Sequence, residues 1–143
     1  MTSRSLAKNI AELALSKKAY DVMLLDVRKL TSTTDFFVIC SADSDTQVRA
    51  VADAVEKGTA DIGARVWHTE GFHASTWIIL DYVDVVAHIF HHDARTHYNL
   101  ERLWGDAKAS LIEDKISPVR QHEKKRRTSP AANRASEKKL ARR

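Results

Sequence analysis

The sequence predicts an α/β (α+β) fold, a mixed sheet of about five strands with helices packed mainly on one face. Three observations carry this. Short apolar runs of strand length alternate with segments of helical period, in the order α-β-β-α-β-β-β-α. Two of those strand runs are separated by only Tyr82, Val83 and Asp84, a hairpin spacing. Apolar content collapses after Ile116, which confines the fold to residues 1–116 and leaves residues 117–143 as a basic tail.

Each element has a local cause. Leu6, Ile10, Leu13 and Ala14 recur at helical spacing, with Ser3 or Ser5 as the N-cap. YDVMLLDV (20–27) is an apolar run bounded by charge and reads as a buried strand. RKLTSTTD (28–35) is a polar loop with a turn at Leu30, and FFVIC (36–40) is a second buried strand. Ser44 followed by Gln47 forms a capping box, and Val48, Val51, Ala52 and Val55 continue it as a helix that ends at Gly58 or Gly63. RVWHTE (65–70), WIILD (77–81) and VVAHIF (85–90) are the remaining strands, and a helix is expected from His92 to about Leu111. The tail, with both prolines and many charges, cannot bury enough surface to offset chain entropy and is expected to be disordered.

The net charge of +4 hides a division. Residues 119–143 hold 10 Lys+Arg against 2 acids, and residues 1–118 hold 13 against 17, so the body is acidic. An acidic body argues against a nucleic-acid-binding fold and suits a basic protein partner. The tail has two readings, weak contact with RNA phosphates or a solvated extension. Cys40 is the only cysteine, which excludes an intramolecular disulfide and any multi-thiolate zinc site. No run approaches a membrane span, and the first residues do not read as a secretory signal. A reducing cytoplasm is the expected location.

The chemistry-bearing residues have mundane readings. Asp43-Ser44-Asp45 could hold a divalent cation, but acids and Ser before a helix ordinarily cap it. Asp81 and Asp84 flank a turn. His88, His91, His92 and His97 resemble a metal cluster in composition, yet His92 and His97 miss the i, i+4 spacing that brings two imidazoles to one ion. No metal is expected. No glycine-rich phosphate loop and no nucleophile elbow is present.

The hairpin is more informative. Alternation places Ile78, Leu80, Val85, Ala87 and Ile89 on one face, suited to packing under helices. It places Trp77, Ile79, Asp81, Val86, His88 and Phe90 on the other. That mixed aromatic and charged set is either a docking surface or a second buried face, and alternation alone does not choose.

The blocks DVMLLDVRKLTSTTDFFVICSADSDTQVRA (21–50), EG (70–71), WIILDYVDVVAHIF (77–90) and RTHYNLERLW (95–104) decide more. In order and spacing they resemble the ribosomal silencing factors, the Iojap-like family, over residues 5–107. The resemblance implies a fold similar to the nucleotidyltransferases but without their catalytic carboxylates, since neither RVWHTE nor WIILD carries two acids one residue apart. It implies no enzyme activity and no cofactor. It implies binding to the large ribosomal subunit through ribosomal protein fourteen, obstruction of subunit joining, and lowered translation. The free protein is expected to be capable of pairing as a homodimer. On this reading Trp77 is the central anchor, with Ile79 and His88 beside it. Glu70 and Asp81 meet partner Lys or Arg, and Tyr98 and Glu101 continue the patch. The alternatives are a residual nucleotidyltransferase and an RNA-binding protein acting through its tail.

Overall fold

A computed structural model describes residues 1–112. The expected boundary at Ile116 and the basic tail lie outside the described residues. The elements are α1 (Ser3–Ser16), β1 (Tyr20–Asp26), β2 (Phe36–Ala42), α2 (Asp45–Asp61), β3 (His68–Glu70), β4 (Trp77–Asp81), β5 (Val85–His91), α3 (His92–Tyr98), α4 (Leu100–Leu103) and β6 (Lys108–Ile112). They form one mixed sheet in the order β3-β4-β5-β2-β1-β6. Only β2 and β5 run parallel, with α2 in the crossover; the other pairs are antiparallel.

The helices α1 and α2 cover one face. Their apolar stripes, including Leu6, Ile10, Val48, Val51 and Val55, pack on Val22, Leu24, Phe36, Val38, Ile78, Leu80, Val85, Ala87 and Ile89. This is the face that hairpin alternation assigned to helix packing. A Cβ on Gly58 would come within 2.7 Å of both Leu13 methyl carbons, so the missing side chain lets the two helices approach closely.

The N-terminus of α2 is capped as the sequence indicates: Ser44 Oγ accepts from the Gln47 N–H at 3.1 Å. The Gln47 amide donates to the Lys17 carbonyl, tying the start of α2 to the end of α1. Asp45 lies in the first turn, and Asp43 Oδ1 accepts from the Tyr20 hydroxyl at 2.8 Å. The acid-Ser-acid stretch thus serves the cap and a strand tie. Ser44→Ala is expected to lower unfolding stability by about 1 kcal/mol. A denaturation midpoint unchanged by that substitution would refute the capping role.

Three expectations are corrected. The cap of α1 is Thr2, whose Oγ1 accepts from the Ser5 N–H at 3.0 Å, ahead of both serines expected. The strand β3 begins only at His68. Of the two ends expected for α2 the second holds: the helix runs past Gly58 to Asp61, and Gly63 follows at φ +90. The largest difference is at the C-terminal end. The expected helix to Leu111 stops at Tyr98, because Asn99 adopts the left-handed conformation (φ +47, ψ 60) and redirects the chain. One turn of α4 follows, and residues 108–112 form a sixth strand on the free edge of β1.

Candidate interaction surface

Among the described residues the second face of the sheet is only partly covered, by the α3–α4 segment. Pairing register lays its residues out in two rows. Glu70, Ile79, His88, Ile39, Met23 and Leu111 form one row, and His68, Asp81, Val86, Phe37, Leu25 and Ala109 the next. Trp77 opposite Phe90 begins a third. Beneath the α3–α4 segment, Leu25, Val27, Ile39, Phe90 and Leu100 form a small second core. Phe37, Trp77, Ala94, Trp104 and Ala107 pack against it, partly buried.

The segment is held down by Arg95. Its Nε and Nη2 donate to Glu101 Oε2 at 3.0 and 2.7 Å, and its Nη1 donates to Ser41 Oγ at 3.0 Å. Nη1 also donates to the Asp21 carbonyl. One guanidinium thus joins α3 and α4 to β1 and β2. The planar fork suits several acceptors at fixed angles, which an ammonium would not match.

Aromatic rings cross this face as a chain. Trp77 stacks on Phe90 at 4.9 Å between centroids and lies 4.6 Å from Tyr98. Its indole N–H donates to His88 Nδ1 at 3.2 Å. Phe37 then meets His88 and Trp104 edge-on, each at 5.0 Å. Tyr98, at one end of the ring chain, is 50% exposed, and the aliphatic residues Leu103 of α4 and Leu111 of β6 are 74% and 49% exposed. Trp77 and Ile79 are half-buried. The indole is therefore neither sealed in a core nor loose. It is half-buried and held by three rings, His88, Phe90 and Tyr98, the pre-organisation that interface anchors need.

The residues named from the sequence divide into two groups. Trp77, Ile79, Asp81, Glu70 and Tyr98 come together on or around this open face. Asp81 Oδ1 accepts from the Val83 N–H at 2.7 Å, which shapes the hairpin turn. His88 and Glu101 have other tasks. His88 is only 7% exposed, and burial pushes its pKa down to about 4. It is a neutral acceptor that holds the Trp77 indole from beneath the surface and is not itself part of the exposed patch. Glu101 is occupied by Arg95, and its Oε1 is buried without a hydrogen-bond partner. Sequence reading did not include Phe37, Leu103, Trp104 or Leu111 in the surface. Extending the alternation to β2 would have placed Phe37 on it. The other three depend on the turn at Asn99.

The histidines do not act as one group. His91, His92 and Asp93 bring ligand atoms within 4.8 Å of one another at the end of β5, a proximity that helical spacing did not anticipate. His91 Nδ1 there accepts from the Asp93 N–H at 3.3 Å, which is helix capping. His88 is buried in the sheet among the aromatic rings.

The family model described as ribosomal silencing factor during starvation matches residues 1–141. The chain belongs to the ribosomal silencing factor family. It is 40% identical over 107 residues to ribosomal silencing factor RsfS of Bacillus subtilis, covering 75% of this chain and 91% of that one. It is also 37% identical over 106 residues to the chloroplastic protein Iojap of Zea mays, covering 72% of this chain and 45% of that protein. The fold matches a crystal structure of a protein from Chromobacterium violaceum with a TM-score of 0.72 at 30% identity, over 82% of this chain and 98% of that one. Membership in the ribosomal silencing factors makes this a regulator of translation that acts on ribosomes. Among the described residues no helix is long and apolar enough to cross a membrane.

Proposed function

We propose that the chain binds the large ribosomal subunit through ribosomal protein fourteen and, standing at the subunit interface, keeps the small subunit from joining. Translation falls as a result, and no bond is made or broken. The observation that carries this reading is the pre-organised ring chain from Tyr98 through Trp77, on an open sheet face of a body whose net charge is −4 over residues 1–118. Aromatic anchors supply affinity at the centre of an interface, and the carboxylates of Glu70 and Asp81 at its edge favour a basic partner. The basic tail adds weak contact with rRNA phosphates, and the same open face pairs two free copies, so self-association competes with ribosome binding. The action takes place in the cytoplasm, where subunits are free.

Co-sedimentation with purified large subunits tests the assignment. The chain should travel with free large subunits, and Trp77→Ala should weaken binding by about 2 kcal/mol, roughly 30-fold. Unchanged binding by a folded Trp77→Ala variant would remove the anchor from the proposal.

A further inference from the structure

Residues 71–76 join β3 to β4, and Trp77 is the first residue after them. Pairing of β3 with β4 stops at Glu70 and Ile79. Among the described residues, Trp77 and Ile78 therefore have a strand neighbour only on the β5 side, at Phe90 and Ile89. The loop takes the place of the missing strand. Gly71 (φ +91) lies so close to the Trp77 backbone that a Cβ there would collide with the Trp77 carbonyl oxygen. The Ser75 N–H donates to the Gly71 carbonyl at 2.9 Å, and the Thr76 carbonyl accepts from the His91 N–H at 2.9 Å. Ser75 is 3% exposed and stands at φ +60, a conformation that a serine keeps where its surroundings fix it.

The group that fixes it is Arg49, an exposed residue of α2, the helix that packs on the opposite face of the sheet. Its Nε and Nη2 donate to Ser75 Oγ at 3.2 and 2.8 Å, and Nη2 also donates to the Phe72 carbonyl. Ser75 Oγ donates to the same carbonyl at 2.9 Å, which closes the network. One guanidinium thus spans both halves of the loop, reaching a hydroxyl and a carbonyl at fixed angles as a planar fork does. These are bonds from a solvent-exposed side chain to neutral groups of one loop, so their loss loosens the loop and not the core. We infer that Arg49 is a positioning residue for docking: it clamps the loop 71–76 and thereby holds Trp77 in place, without itself touching the partner. This rests on the docking function proposed above. An anchor fixed before binding loses less freedom when it binds, so a clamp behind the anchor raises affinity without adding a contact.

The test uses full-length variants and equilibrium binding to purified free large subunits. Arg49→Ala should bind roughly tenfold more weakly, and Arg49→Lys, which returns one donor to the loop, should recover part of that loss. In a Trp77→Ala background the same Arg49→Ala change should cost less than about twofold, because the clamp acts through the anchor. The urea midpoint of Arg49→Ala should stay close to that of the wild type. With fluorotryptophan incorporated, the Trp77 fluorine resonance, assigned by its loss in Trp77→Phe, should broaden or move in Arg49→Ala while that of Trp104 stays in place. A binding loss as large in the Trp77→Ala background as in the wild type would make Arg49 a direct contact and overturn the inference. So would wild-type affinity in Arg49→Ala, an unchanged Trp77 resonance, or a fall in global stability that accounts for the weaker binding. Failure of the docking function looks different. There the wild-type chain does not bind large subunits, or Trp77→Ala binds as well as wild type, and the fluorine spectrum still decides whether Arg49 holds Trp77.

Discussion

Arg95→Ala is expected to lower the unfolding free energy by about 3 kcal/mol, measured by urea denaturation followed by circular dichroism. The arginine side chain is only 11% exposed and Glu101 33%, so this pair is not a surface ion pair of small worth. Its removal strands the Glu101 carboxylate, one oxygen of which already lacks a partner. It also leaves the Asp21 carbonyl and the Ser41 hydroxyl without this donor. Arg95→Lys should fall in between, since it restores the charge without the fork. The same variants should bind large subunits less well, because the segment they loosen carries Tyr98. A loss below about 1 kcal/mol for Arg95→Ala would show that the segment is held by its apolar contacts instead.

Stability should also fall as the pH drops from 6.5 toward 4, and His88 is the cause. Burial holds its folded-state pKa at about 4, against an ordinary value of 6.5. Between those values the unfolded chain takes up a proton that the folded chain refuses. Unfolding is therefore favoured progressively as acid is added through this window, and below about pH 4 the contribution of His88 is flat. The full loss is about 3 kcal/mol. Asp26 titrates lower. A hydrogen bond from Arg28 holds its carboxyl at about 2, below the ordinary 3.8, so its stabilising effect is lost only as pH falls from 3.8 toward 2. The two windows are separable. His88→Phe should flatten the stability profile between pH 6.5 and 4, and an unchanged slope in that variant would clear His88 of responsibility. Trp77 fluorescence should change in the same variant, since its indole N–H loses its acceptor.

The sequence made the helix-covered face legible because its rules are local. Period-two and period-3.6 patterns in residues 6–14, 48–55 and 77–90 fix which side chains face inward, and the capping signal at Ser44 fixes where α2 begins. The open face was only half legible. Alternation placed Trp77, Ile79 and His88 together, but it could not tell which of them the next segment would cover. The helix expected there rests on Tyr98, Leu103 and Trp104 falling on overlapping helical faces, while the deciding fact is one asparagine in a left-handed conformation. Asn99 is a local stop signal that the apolar spacing beyond it outweighed, and the strand β6 is recognised only by its partner β1. His88 and Glu101 illustrate the same limit. Both are polar residues at positions that suit a surface, and each acquires its task from a residue distant in sequence or from the turn at Asn99.

The central claim is that an open sheet face, anchored by Trp77, acts by occupying the surface the small subunit needs. Light scattering of purified small and large subunits, mixed under conditions that favour joining, measures this directly. Adding the chain should lower the amplitude of joining in proportion to its occupancy of large subunits, and Trp77→Ala at the same concentration should leave it nearly intact. Full-amplitude joining with the wild-type chain demonstrably bound to the large subunits would contradict the account.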